Sequence, residues 1–376
     1  MNEKHKWIAL ALSCTGKKYA LDRLAQEYKN IPDTDPRFCT PAAQALIRSL
    51  ENSPIKDVTV VCYPDPEYPE KLRNLNDPPA QLYIRGNAKV LDSGIIAAVV
   101  GSRDASAYGL SVTADFCRDF CEAGLTVISG GARGVDSAAA ETVLICGGKT
   151  IAVLGSGVDV SYPARNKDLF DKIAASGGAV ISEYHFGSQP IQANFPRRNR
   201  IIAALGDCCV VTEAGLRSGS LITANLASDL RRPLFAVPGN ITSHGSTGTN
   251  HLIKTGAALA ESGAQVAAEL KALLSFSAAH TVPGTNSSAK VTHGEVTDPQ
   301  PKSSKFTRVA THEASSVKAD LSANERSIIA AIKNGCATVA EIAGVTGLGE
   351  VTLAPELIMM ELKGLIRKEL SGYSVV

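Results

Sequence analysis

Residues 95–134 read IIAAVVGSRDASAYGLSVTADFCRDFCEAGLTVISGGARG, and this stretch decides the fold. A continuous apolar run ends at Gly101-Ser102-Arg103, a segment with helical spacing follows, and a second apolar run ends at Ser129-Gly130-Gly131-Ala132-Arg133-Gly134. Neither run alternates apolar with polar residues, so neither predicts a strand with one face in water. Strand, helix and strand in this order make a βαβ unit, whose strands run parallel and are covered by helices on both faces.

The same rhythm continues through TIAVLG (150–155), GAVISE (178–183), CCVVTEA (208–214) and PLFAVPG (233–239), most of them separated by helical spacing. Upstream, VTVVCY (58–63) and LYIRG (82–86) flank the proline-rich turns YPDPEYPE and NDPPA and predict strands leading into this domain. Residues 1–56 have helical spacing of Trp7, Ile8, Leu10, Leu21, Leu24, Leu46 and Leu50, interrupted by IPDTDP. They predict a small helical domain of the SAM-like or helix-hairpin-helix-like kind. The α/β domain spans 57–275. A segment rich in Ser, Thr, Pro and Gly, 276–320, reads as a flexible linker, and 321–376 reads as three helices and a hairpin, the order of a winged-helix domain.

Composition narrows the function classes. With 376 residues, 44% hydrophobic and 20% charged, the chain is long enough for several buried cores. Lys+Arg is 38 against 37 Asp+Glu, a net charge of +1, so there is no global positive field for a polyanion. Within 95–270 the count is 14 basic and 15 acidic residues, so any contact with nucleic acid must be a local patch. Nine cysteines include no CxxC pair, which argues against zinc and favours a reading as small buried apolar residues; three of seven histidines, His280, His293 and His312, fall in the linker. No apolar run approaches the roughly 20 residues of a membrane span, and no cleavable leader is evident, so the expectation is a cytoplasmic protein away from the membrane.

Ligands of an open parallel sheet bind outside the carboxyl ends of the strands. Four loops there carry an arginine: Gly101-Ser102-Arg103; Gly130-Gly131-Ala132-Arg133-Gly134; Tyr162-Pro163-Ala164-Arg165-Asn166; and the run to Arg217-Ser218-Gly219-Ser220. Free N–H groups at helix starts favour an anion, glycines let it approach, and the arginines add charge. Asn194-Phe195-Pro196-Arg197-Arg198-Asn199-Arg200 is the most informative segment. Pro196 suits a helix start, where three arginines oppose the macrodipole at about 0.3–1 kcal/mol each, so something negative should offset them. A phosphate backbone would do so, with Phe195 stacking on an unpaired base; pairing with Glu183 or Glu213, and Phe195 as a core residue, are the alternatives. No GxxxxGK[ST], no GxGxxG with a ribose-binding acid and no catalytic triad order is present. Asp136 and Glu213 border the rim and read as helix caps or arginine orienters rather than general bases.

Together VVGSR, SGGARGVD, IAVLGSGVDVSYPARN, NFPRRNRIIAAL, TEAGLRSGSLITANLA, FAVPGNI and GTNHLIKTGA resemble the DNA-processing protein A family (DprA/Smf), over roughly 57–272. The resemblance implies a Rossmann-like, mostly parallel core and a non-enzymatic role without a cofactor. Such proteins bind incoming single-stranded DNA in natural transformation, help load the RecA recombinase and act as homodimers. Carried over, it places Arg103, the SGGARG loop, Arg165 and the NFPRRNR segment on the DNA-binding rim. Some relatives have lysine at the position of Ala164 and a bulkier residue at Gly131. More distantly, TEAGLRSGSLITA resembles the nucleotide loop of phosphoribohydrolases, but Thr223 stands near the place of their glutamate, which disfavours catalysis. A nucleotide-sensing module is a third reading. Residues 322–376 hold five basic and six acidic residues, a net −1, so the terminal domain is expected to contact protein rather than duplex DNA.

Overall fold

A computed structural model describes residues 2–14, 17–279, 322–334, 338–349, 353, 356–357, 360, 365–369 and 372–375. These fall in two compact units, Met1–Asn286 and Ser287–Val376.

The first unit opens with helices α1 (Glu3–Ala11), α2 (Lys18–Glu27) and α3 (Pro41–Glu51), and then builds a sheet. Its order of elements is β1 (Val58–Cys62), α4 (Glu70–Arg73), β2 (Gln81–Gly86), β3 (Ile96–Val100), α5 (Ala107–Glu122), β4 (Thr126–Ser129), α6 (Val135–Ile145) and β5 (Thr150–Val153). Then come α7 (Lys167–Ala175), β6 (Ala179–Ser182), α8 (Asn194–Leu205), β7 (Cys208–Val211), α9 (Ser220–Asp229), β8 (Leu234–Ala236), α10 (Thr247–Lys254), β9 (Ala258–Leu259) and α11 (Gly263–Ala279). The strands are ordered β1-β2-β6-β5-β4-β3-β7-β8-β9. All six apolar runs form strands, and from β6 to β9 every pairing is parallel. β1 and β2 are antiparallel to each other, and β2 extends the β6 edge antiparallel, which makes the sheet mixed.

The reason for the uninterrupted apolar strands is visible in β3. Ile96, Ala98 and Val100 enter a core with α8, α9 and α10, whereas Ala97 and Val99 enter a second core with α5, α6 and α11. Period-2 alternation therefore separates two buried faces rather than a dry face from a wet one. Helix ends are fixed locally. Ser106 caps α5 through Gly109 N–H, and Gly124, at φ +75°, ends it with Gly124 N–H donating to Cys121 O and Leu125 N–H to Phe120 O, which delivers the chain to β4.

Three expectations change. The N-terminal helices have no separate core: Trp7, Leu21, Phe38 and Leu46 belong to the same apolar cluster as Ile84, Ile181 and Ile202, and Trp7 Nε1–H donates to Ala80 O at 2.8 Å. A boundary at 56 therefore separates elements that share one interior. The linker cannot begin at 276, because α11 continues to Ala279; residues 280–321, with the three histidines, lie outside the described residues. Cysteines divide too: Cys62, Cys117, Cys208 and Cys209 are buried, but Cys39 and Cys146 are exposed.

The second unit contains α12 (Ala323–Lys333), α13 (Val339–Thr346) and the antiparallel pair β10 (Ile366–Glu369) and β11 (Gly372–Val375). Both helices begin with reciprocal capping boxes, Ser322 with Glu325 and Thr338 with Glu341. Ile328, Ile342, Leu353, Leu357, Met360 and Ile366 form its core. Most of 351–364, which would carry the third helix of the winged-helix reading, lies outside the described residues.

Candidate functional site

The connections out of β3 and β7, which are neighbours in the sheet, run in opposite directions: β3 leads towards β4 and β7 towards β8. A crevice opens where two such strands part. Here it is a cavity of about 810 Å³. From the β3 loop, Gly101, Ser102 and Arg103 line it; from α8, Phe195, Arg198 and Asn199; from the β7 loop, Arg217, Ser218, Gly219 and Ser220. Ser243, His244 and Gly245, after β8, line it as well and were not anticipated. The signal was available, since PLFAVPG is another strand of the same edge and its outgoing loop must reach the same rim.

Gly130, Gly131, Arg133, Gly134, Arg165, Asn166, Arg197 and Arg200 are not among the lining residues. Their glycines serve loop packing. A Cβ on Gly134, at φ +77°, would lie 2.3 Å from Ser102 O, and one on Gly130 would lie 2.6 Å from Arg198 Nη2. Gly131 is likewise closed by Phe170, and Gly101 by Val135 and Glu213 O, whereas Gly219 borders open space. Asn166 is buried and its amide donates to Gly131 O at 3.0 Å and Ser137 Oγ at 2.9 Å, so it holds two loops together instead of facing a ligand.

The expected supply of free backbone donors is also reduced. Ser102 N–H donates to Glu213 O at 2.7 Å, and Val135 N–H, at the start of α6, to Ser102 O at 3.1 Å. The α5 start already has its anion, because buried Glu213 accepts from Ser106 N–H at 3.0 Å and from the Ser106 hydroxyl. Glu213 is thus a support for the helix start. Side chains, not amides of α5 and α6, must carry most of the charge complementarity at this rim.

The arginines of the NFPRRNR segment separate sharply. Arg198 is 4% exposed and its Nη1 donates to Gly130 O and Val153 O, at the carboxyl ends of β4 and β5. Asp136 is buried beside it and accepts from Ala132 N–H at 3.2 Å. Burial pushes Arg198 down to about 10 and raises the Asp136 carboxyl, while each opposes the shift of the other through its charge. Asp136 is therefore an arginine partner. Arg200, 5% exposed, forms a fork on Glu183 at 2.9 and 2.8 Å, and its Nε donates to Asp77 Oδ2 at 3.0 Å. A phosphate beside Arg198 and Arg200 is thus replaced by internal partners, and both belong beneath the rim. Arg197 remains half-exposed, 3.6 Å from the same Glu183.

Above them, the Arg103 guanidinium lies over the Phe195 ring at 5.3 Å, and the Tyr162 ring meets Phe195 tilted by 41° with centroids 5.4 Å apart. Phe195 is half-buried. Arg103 and Phe195 thereby bring a cation and a ring together at the cavity. Arg165 and Arg217 are exposed, and Arg133 is exposed in an ion pair with Asp104 at 2.7 Å. Thr223 is buried in α9 at the cavity wall. Among the described residues no group of three His, Cys, Asp or Glu could hold a metal ion, and no helix is long and apolar enough to cross a membrane.

Comparison with known proteins gives a consistent result. The profile of DNA recombination-mediator protein A matches residues 59–271. DNA processing protein DprA of Streptococcus pneumoniae is 45% identical over 204 residues, which cover 54% of this chain and 71% of that protein. Protein Smf of Escherichia coli is 43% identical over 192 residues, 51% of each chain. The solved structure of DNA processing protein A from S. pneumoniae superposes with a TM-score of 0.61 at 34% identity, covering 72% of this chain and 98% of that one. A structure concerned with the single-stranded DNA binding mode of DNA processing protein A from Helicobacter pylori gives 0.52 at 32% identity, covering 58% and 96%.

Proposed function

Because the chain belongs to the DNA recombination-mediator protein A family, we propose that it binds single-stranded DNA at the crevice between β3 and β7. It protects the incoming strand and helps load a RecA recombinase onto it during natural transformation. The observation that carries this reading is the Arg103 guanidinium over the Phe195 ring at the mouth of the cavity. That pair offers a cation to a phosphate and a planar stack to an unpaired base, a combination that a base-paired strand cannot use. Arg197, Arg217 and Arg165 extend the exposed charge along the rim.

The role is binding rather than catalysis: Asp136 is buried, accepts from Ala132 N–H and balances the Arg198 charge, and Glu213 holds the α5 start, which leaves neither as a general base. We read the protein as a cytoplasmic homodimer without a cofactor. The α12, α13 and β10–β11 unit is a winged-helix domain, and its surplus of acidic residues suits a protein partner over duplex DNA.

The test is a parallel titration of single-stranded DNA, duplex DNA and mononucleotides across salt, with RecA filament formation on the coated strand followed in the same samples. Single strands should bind most tightly, with a log–log salt slope near −0.7 per phosphate engaged, and filament growth should accelerate. Mononucleotides that displace an oligonucleotide molecule for molecule, or release of free base from a nucleoside monophosphate, would replace this reading with a nucleotide site.

A further inference from the structure

On the sheet face opposite α8, the ends of α5 and α6 carry three cysteines in graded exposure: Cys117 is buried, Cys121 half-buried and Cys146 exposed. Cys121 lies in the last turn of α5, and Cys146 immediately follows α6. The Cys121 sulfur packs against Gly148, in the turn that follows Cys146, where a Cβ on Gly148 would come within 2.6 Å of it, so the two thiols are neighbours. The absence of a side chain at Gly148 is what admits the sulfur. No part of the DNA-binding reading uses these residues; both helices begin at the rim loops and reach the thiols at their far ends.

We infer that Cys121 and Cys146 form a reversible disulfide on exposure to a hydroperoxide, a modification site that staples α5 to α6. Cys146 is the sulfur that the oxidant reaches first. Its sulfur attacks one peroxide oxygen: an S–O bond forms, the O–O bond breaks, and the departing oxygen takes the thiol proton. Cys121 then attacks the sulfenic sulfur; the S–S bond forms, the S–OH bond breaks, and the Cys121 proton leaves with the hydroxyl as water. The two thiols lose two electrons and two protons, and hydrogen peroxide is reduced to two waters. Burial pushes the Cys121 thiol up to about 11, so it does not compete with the exposed Cys146 for peroxide. Cys117 and Cys121 sit one turn apart on a single helix, with Cβ atoms about 5–6 Å apart, too far for an S–S bond.

Trypsin separates the three cysteines, in peptides 104–118, 119–133 and 134–149. The full-length protein treated with hydrogen peroxide and digested without reductant should give 119–133 joined to 134–149, lighter by two hydrogens. Closing this loop should raise Tm by about 5 °C, reversed by dithiothreitol. Cys146→Ser should abolish both changes, and Cys121→Ser should leave a sulfenic acid at Cys146 that dimedone traps. Overoxidation of Cys146 to sulfinic acid in the wild type with no linked peptide, or a link through 104–118, would overturn the assignment.

Discussion

Two layers of arginine lie over the carboxyl edge of the sheet. In the lower layer, Arg198 and Arg200 are about 95% buried and their hydrogen bonds are internal: strand-end carbonyls for one, with the Asp136 charge buried nearby, and Glu183 and Asp77 for the other. In the upper layer, Arg103 is exposed above an aromatic ring, and Arg197 keeps 56% of its side chain in solvent. All four occupy loops or helix starts that a sequence reading assigns to one polyanion. The difference teaches that the carboxyl ends of parallel strands are themselves a demand for donors. Carbonyls there have no next strand residue to satisfy them, and an arginine can meet that demand before any ligand arrives.

Removing one partner of the Arg200–Glu183 fork tests the lower layer most severely. Arg200→Met leaves a carboxylate of 7% side-chain exposure without its main cation, and should cost about 3–5 kcal/mol of stability, a fall of roughly 10 °C in Tm. Single-strand affinity at a temperature where the variant is folded should stay within about twofold of wild type, since no phosphate contact is lost. Normal melting combined with abolished binding would invert the two layers.

Arg198→Met should cost somewhat less, about 2–3 kcal/mol, because Asp136 can take up a proton once its cation is gone. The sign follows from the raised carboxyl. An acid with a folded pKa above its unfolded value binds its proton more tightly when folded, so stability is lost as pH rises through the folded value. In wild type that window starts at the ordinary aspartate value of 3.8, and in the variant it should extend further upward. Thermal melts at about pH 5 and pH 8 check this: the deficit against wild type should be larger at the higher pH.

The upper layer should respond in binding and hardly at all in stability. Phe195→Leu keeps apolar contact with Gly155 but removes the flat ring beneath Arg103, and should weaken single-strand binding by about 1 kcal/mol, roughly fivefold. Arg103→Gln should instead lower the log–log salt slope by about 0.7, with Tm unchanged. Both effects are read from one fluorescence titration series across salt. Equal losses for duplex and single strand in the Phe195 variant would mean that the ring does not stack on bases.

The strands of this fold were legible because each is an apolar run ending in a glycine-bearing loop, and the crevice follows from their order. β9 was not: Ala258–Leu259 is two residues long, both exposed, and forms a strand only because β8 offers it an edge. Nor could the sequence show that Trp7 reaches Ala80, a contact across 73 residues that merges the N-terminal helices with the sheet. Glu183 was visible as a candidate partner for the NFPRRNR segment, but charge alone could not say which arginine it would take. Burial decides that, and burial depends on α8 packing under the β4 and β5 loops. Asn166 and the Gly130-Gly131 turn pack loop on loop for a reason composition does not display, since a loop built to meet another loop has the same composition as one built to meet a phosphate.

The smallest expected effect isolates burial from geometry. Arg37 makes a bidentate fork on Asp35 with Nε at 2.8 Å and Nη2 at 2.9 Å, side-on where Arg200 meets Glu183 end-on through Nη1 and Nη2. Its guanidinium, however, is 42% exposed. Hydrogen bonds from the Arg37 side chain and then its backbone hold the Asp35 carboxyl down at about 2, so the contribution of the pair is present above the unfolded aspartate value of 3.8 and is lost as pH falls towards 2. Solvent screens such a pair strongly, and Asp35→Asn, which retains an acceptor for the Arg37 N–H, should leave Tm at neutral pH nearly unchanged. Its melts should converge fully with wild type only in the acid window between about 4 and 2. If Asp35→Asn destabilised the protein as much as Arg200→Met, fork geometry rather than burial would be what separates the internal arginines from those left free on the rim.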